Sequence, residues 1–152
     1  GNAATYKFTE EQWINGSKRV LTRLNAVTDH VIVVPGTPLL SFDGPGCLEK
    51  KNASSALKRF LSDDSSCREA LTNSQTANVP HYLAQAAQQP PKVSVLNLND
   101  LVCPNGYCTA QNTTGLVVFR DQQHLTDSFV RAQTPKVLLK LKKLGLGSLL
   151  AD

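Results

Sequence analysis

Val31-Ile32-Val33-Val34-Pro35-Gly36 decides how the rest of the chain is read. Four β-branched apolar residues in a row stop at a Pro-Gly turn signal. A short continuous run of this kind marks a strand buried in a parallel sheet. Upstream, Thr9-Glu10-Glu11-Gln12 has the spacing of a capping box. Trp13, Val20, Leu21 and Leu24 then recur at helical spacing, so a helix is expected from about 10 to 26. Downstream, Pro80 opens a helical stretch to about 88, which Pro90-Pro91 end. Val93-Ser94-Val95-Leu96-Asn97-Leu98 follows as a second buried strand. Helix, strand, helix, strand in this order points to an α/β fold with a parallel sheet.

The remaining segments are placed around that unit. Residues 36–54, with Pro38, Pro45 and several glycines, read as a loop. Helical stretches are expected at about 54–62 and about 66–73. Cys103-Pro104-Asn105-Gly106-Tyr107-Cys108 sets Asn-Gly between two cysteines, a tight turn and small hairpin whose return strand is Leu116-Val117-Val118-Phe119. From Thr126 to Leu144 the pattern is mostly helical, with Pro135 a break or kink. There Lys136, Lys140 and Lys143 share one face and Val137, Leu141 and Leu144 another. Packing on the sheet is expected for this helix, ahead of a role on a membrane surface. Two strands and one hairpin are few for an α/β domain, where about four to six strands are usual. The chain is therefore expected to be part of a domain, or a domain short of an edge.

Composition narrows the class. The 152 residues are 41% hydrophobic and 18% charged, which is a globular and not a disordered composition. A formal charge of +4 without a dense basic stripe argues against a nucleic-acid partner. No apolar run approaches the roughly 20 residues that span a bilayer. Gly1-Asn2-Ala3-Ala4 has no signal-peptide character, and the sequence contains no Met, so it reads as a processed product or an excised segment. Four cysteines allow three pairings. The local one, Cys47–Cys67 with Cys103–Cys108, closes the two smallest loops and is expected. A zinc site is disfavoured because paired CxxC knuckles are missing. Disulfides imply an oxidising compartment, and sequons at Asn15, Asn52 and Asn112 agree with that.

Chemistry concentrates in Arg120-Asp121-Gln122-Gln123-His124-Leu125-Thr126. Histidine is the usual proton shuttle near neutral pH. It works best when a carboxylate fixes its tautomer. At three residues' separation, Asp121 can fold back to accept from Nδ1 and leave Nε2 free to take a proton from a hydroxyl. The bland alternative is that Asp121 caps the following helix and His124 is an exposed first-turn residue. His30, His81, Asp63, Asp64 and Asp127 read as surface, loop or first-turn residues.

The order of these features resembles SGNH-type hydrolases, and most closely the extracytoplasmic SGNH domain fused to membrane acyltransferases of the acyltransferase-3 family. Trp13 in a helix before Val31 to Pro38 is similar to that family's strand and loop. Pro45-Gly46-Cys47-Leu48 with Cys67-Arg68 resembles its first cysteine pair, and Val93 to Cys108 its last strand and second pair. The resemblance implies a three-layer, flavodoxin-like SGNH fold. It maps the family's catalytic Asp and His onto Asp121 and His124. The Gly-Asp-Ser block that carries the family's nucleophile is not recognisable. Gly16-Ser17 lies inside a helix, and Ser41-Phe42-Asp43-Gly44 has the wrong order. Residues 1–152 are thus expected to be the C-terminal part of one SGNH-like domain, with the serine supplied by an upstream segment or a second chain.

The implied activity is acyl-ester chemistry, O-acyl or O-acetyl transfer or hydrolysis on a carbohydrate-like acceptor. The implied partners are an acyl donor, a hydroxyl-bearing acceptor and a membrane acyltransferase domain in the parent protein. No cofactor and no metal are expected, and the location is extracytoplasmic. The alternative is a secreted, disulfide-stabilised interaction domain without catalysis.

Overall fold

The computed structural model describes residues 8–53 and 67–147. In chain order the elements are α1 (Glu10–Asn25), β1 (Val31–Val33), α2 (Gly44–Ala53), β2 (Arg68–Ala70), α3 (Val79–Ala86), β3 (Val93–Val95), α4 (Asn99–Val102), β4 (Tyr107–Thr109) and α5 (Asp127–Lys143). Helices and short strands mix along the chain as in an α/β fold. The strands form a parallel pair, β1 with β3, and an antiparallel pair, β2 with β4. Two compact units result, the first running to Pro35 and including Asn78–Leu96, the second made of Gly36–Ala77 and Asn97 onward.

In the first unit the capping box forms as read: Thr9 Oγ1 accepts from Gln12 N at 3.2 Å, and Gln12 Oε1 accepts from Thr9 N at 2.9 Å. These bonds satisfy two donors at the helix end that would otherwise be unpaired. β1 and β3 pair in register Val31↔Val93 and Val33↔Val95, and Leu96 N extends the ladder to Val33 O at 2.8 Å. Leu21 of α1, Val31 of β1 and Ala86 of α3 make the core, with Ile14, Val33 and Val93 packed against it. The continuous apolar run had implied a strand buried on both faces. Instead Val31 is buried while Ile32, on the opposite face, is 36% exposed, and Val34 is exposed too. His30 Nε2 meets Ser94 Oγ at 3.0 Å, and His81 Nε2 meets Gln85 Nε2 at 2.6 Å, so both histidines serve local structure.

Several expectations fail in the second unit, each for an identifiable reason. The supposed loop at 36–54 contains α2. Asp43 Oδ1 accepts from Gly46 N at 2.7 Å, as an N-cap does, and Pro45 sits in the first turn, where its missing N–H costs nothing. The helix expected at 66–73 is β2 followed by a 3₁₀ turn at Leu71–Asn73. Its partner β4, not its own propensity, makes the strand: Arg68 lies opposite Thr109 and Ala70 opposite Tyr107. The helix expected at 54–62 lies outside the described residues.

Asn105 and Gly106 do turn the chain, at φ 57° and 77°, in the left-handed region that these two residues tolerate. No hairpin forms around the turn, because the preceding residues are α4 and the following ones pair with β2. The segment Leu116–Phe119 contributes two isolated antiparallel bridges, Gln111↔Val117 and Phe119↔Leu125. α5 runs unbroken through Pro135. Its half-buried positions include Gln133, Val137, Lys140 and Leu141, and Lys140 is drawn to Asp100 at 2.9 Å, so the packed face is mixed and Leu138 and Leu139 are exposed. Among the described residues no helix is long and apolar enough to cross a membrane.

Both disulfides follow the local pairing, Cys47–Cys67 and Cys103–Cys108. The second unit's core is Leu40, Val102, Cys103, Cys108, Val118, Phe119 and Phe129, with Phe42, Leu71 and Leu125 against it.

Candidate active site

Asp121 and His124 sit on a loop closed at both ends. Phe119 and Leu125 bridge beneath it, and Arg120 N donates to His124 O at 2.9 Å. Phe119 is wholly buried in the core. Thr126 then caps α5, accepting from Phe129 N at 3.3 Å, while its own hydroxyl donates to Val117 O at 2.6 Å. The helix starts at Asp127, so Asp121 is too far upstream to cap it. The helix-cap alternative is thereby excluded.

Segment 37–44 holds the loop's backbone from the side. Asp121 O accepts from Gly44 N at 3.3 Å, Gln122 O from Leu40 N at 2.9 Å, and Gln123 O from Thr37 Oγ1 at 2.7 Å. Gln123 Nε2 returns a bond to Thr37 O at 3.3 Å. All three carbonyls between Arg120 and His124 are therefore satisfied by one neighbouring segment. Close approach requires glycine at 44, since a Cβ there would lie 2.8 Å from Phe119 O. The segment is anchored in turn by the buried Glu69, whose Oε2 accepts from Ser41 N at 2.8 Å and Ser41 Oγ at 2.7 Å. The Ser41 hydroxyl is thus committed to Glu69.

The Asp121 carboxylate is saturated with donors. Oδ1 accepts from Gln123 N and His124 N, both at 2.7 Å, and Oδ2 contacts His124 Nδ1 at 2.8 Å. Arg120 Nε stands farther off, at 3.9 Å from Oδ2. The His124 N–H, then the Gln123 N–H, and to a lesser degree the His124 ring lower the Asp121 pKa from 3.8 to about 2. An ionised carboxylate only accepts, so Nδ1 carries the proton of neutral His124 and Nε2 is its basic nitrogen. Nε2 makes no hydrogen bond among the described residues, and the ring is 64% exposed. The arrangement can accept a proton at Nε2 and stabilise the resulting imidazolium.

A depressed carboxylate pKa has a defined pH signature. The linked stabilisation is present above the ordinary value of 3.8 and is lost as pH falls through about 2. A carbon-13 NMR titration of the Asp121 carboxyl is expected to show a midpoint near 2. An ordinary carboxylate midpoint would mean that the two backbone donors do not hold it in solution.

Residues 2–138 match the family model described as the SGNH domain fused to AT3 domains. The chain belongs to that family. No curated protein and no solved structure matches. SGNH membership brings acyl-ester chemistry of the hydrolase and acyltransferase kind at the level of the family. Among the described residues of this SGNH chain, no group of three or more His, Cys, Asp or Glu could hold a metal. Sequence reasoning found the Asp121–His124 pair but missed the segment that frames it. Thr37, Leu40 and Gly44 carry no motif for that task; only the Asp43-Gly44-Pro45 helix start signals that the segment is not simple loop.

Proposed function

We propose that His124 is the general base and acid, and Asp121 its orienting carboxylate, in O-acyl transfer or hydrolysis on a carbohydrate-like acceptor. One observation carries this reading: the 2.8 Å contact of Asp121 Oδ2 with His124 Nδ1, on a loop whose backbone is fixed throughout. The nucleophile is a serine outside residues 1–152, on an upstream segment or a second chain. That segment completes a three-layer, flavodoxin-like domain, to which this chain supplies the C-terminal strands and helices. Within the chain, no Gly-Asp-Ser block is present, and the Ser41 hydroxyl is held by Glu69.

Nε2 takes the proton as the serine hydroxyl attacks the acyl carbonyl, then returns it to the departing donor hydroxyl. In the second half-reaction Nε2 deprotonates the acceptor hydroxyl, or water, as it attacks the acyl-serine, and then gives that proton to the departing serine oxygen, which restores the serine and neutral His124. The family's description as fused to AT3 domains supports a membrane acyltransferase partner in the parent protein. The two disulfides support an extracytoplasmic location.

A fluorophosphonate probe, which labels activated serine hydroxyls, tests the assignment. In the complete protein it is expected to label a serine outside residues 1–152. Labelling of a serine within them contradicts the proposal, and no labelling of the complete protein favours an interaction domain without catalysis.

A further inference from the structure

A cavity of about 750 Å³ lies in the second unit, lined from β2, β4, the 111–114 turn and α5. It shares no residue with the Asp121–His124 loop. Its size falls among ligand-sized clefts of about 300–1,000 Å³.

The lining is unusual in charge. Arg68 and Tyr107 are diagonal neighbours across the β2–β4 pair, which places them on one face of the sheet. The Arg68 Cζ sits 3.7 Å from the Tyr107 ring centroid. Stacking of this kind holds the guanidinium flat and leaves its N–H edge free for the two oxygens of a carboxylate or phosphate. Lys136 reaches the cavity from α5, one helical turn beyond Gln133. Neither Arg68 nor Lys136 has a carboxylate partner among the described residues. The acid on the wall, Asp100, is taken by Lys140 at 2.9 Å. Two cations without a carboxylate partner among the described residues therefore line one cavity.

Amides stand among its uncharged lining groups, beside apolar and hydroxyl-bearing side chains. The Asn112 Oδ1 accepts from Thr114 N, Thr114 Oγ1 and Leu116 N at 2.9–3.0 Å, which fixes the side chain and leaves its NH₂ unused. Gln133 Oε1 is buried without a partner, so no bond holds that amide against turning toward a ligand.

We propose that this cavity binds an anionic saccharide, its carboxylate or phosphate on Arg68 and Lys136 and its hydroxyls on Asn112 and Gln133. The choice of a saccharide rests on the acyl acceptor proposed above; the requirement for an anion rests on the two cations alone.

Calorimetric titration of the complete protein tests this, using trigalacturonate, a phosphorylated hexose and neutral maltotriose. At least one acidic sugar is expected to bind and maltotriose not, with affinity falling as salt rises. Whichever acidic sugar binds identifies the anionic group. Arg68→Gln and Lys136→Gln are each expected to weaken binding about tenfold. Both side chains are exposed, and circular dichroism confirms folding of each variant. Failure of both acidic sugars, equal binding of maltotriose, or unchanged affinity in both folded variants would overturn the proposal. His124→Ala is expected to bind as the parent does. Binding needs no acyl chemistry, so loss of ester turnover and loss of sugar binding report separately on the two proposals.

Discussion

Replacing His124 with alanine in the complete protein is expected to lower ester turnover by about a thousandfold or more while leaving the unfolding midpoint unchanged. The size of the loss follows from the role. A positioned acid–base group contributes about 10²–10⁴, and removing one member of a base–nucleophile unit disables the unit. The preserved fold follows from the structure. The loop is held by Arg120 N on His124 O and by donors from segment 37–44, none of which involves the imidazole. Its ring is mostly exposed, and surface substitutions of this kind stay within about 0.5 kcal/mol. Turnover of an activated acetate ester, paired with thermal unfolding, measures both. Parental turnover in a folded variant would remove His124 from the mechanism.

Phe119→Ala is expected to have the opposite profile: a large stability loss, with activity falling because the site is no longer held. Phe119 is the largest fully buried side chain among the described residues and packs within the Leu40, Val118 and Phe129 cluster. Truncating a buried Phe costs about 3–5 kcal/mol, from lost burial and the cavity left behind. For a chain of this size that lowers the midpoint by on the order of 10 °C. The neighbouring Arg120→Ala, at an exposed position, serves as the control and is expected to change stability by less than about 0.5 kcal/mol. A midpoint in Phe119→Ala that matches this control would mean that the core does not anchor the loop.

Local chemistry made much of the molecule legible in the sequence. The Thr9–Gln12 box and the Asn105-Gly106 turn rest on neighbours within a few residues, the Val31 and Val93 strands announce themselves by their β-branched runs, and each forms. The four cysteines pair as their spacing suggests. Most of what stayed hidden depends on distant partners. Arg68-Glu69-Ala70 has no β-branched residue and becomes a strand because Tyr107–Thr109 lies beside it. Ile32 belongs to an unbroken apolar run, yet its face of β1 is exposed, which the run alone cannot reveal. α2 was masked by Gly and Pro, residues that end helices in the interior but are tolerated in a first turn. At the site, spacing suggested the Asp121–His124 contact, whereas the carbonyl anchors come from residues about eighty positions earlier.

That separation also has a temporal side. Thr37 and Gln123 are 86 residues apart. At about 5–20 residues per second, the ribosome delivers the second roughly 4–17 s after the first. Throughout that interval the anchoring segment waits without the loop it will hold. Cys67 emerges well within it, and in an oxidising compartment its bridge to Cys47 shortens the search for the final contact. The order of synthesis thus delivers the framing segment before the reactive loop.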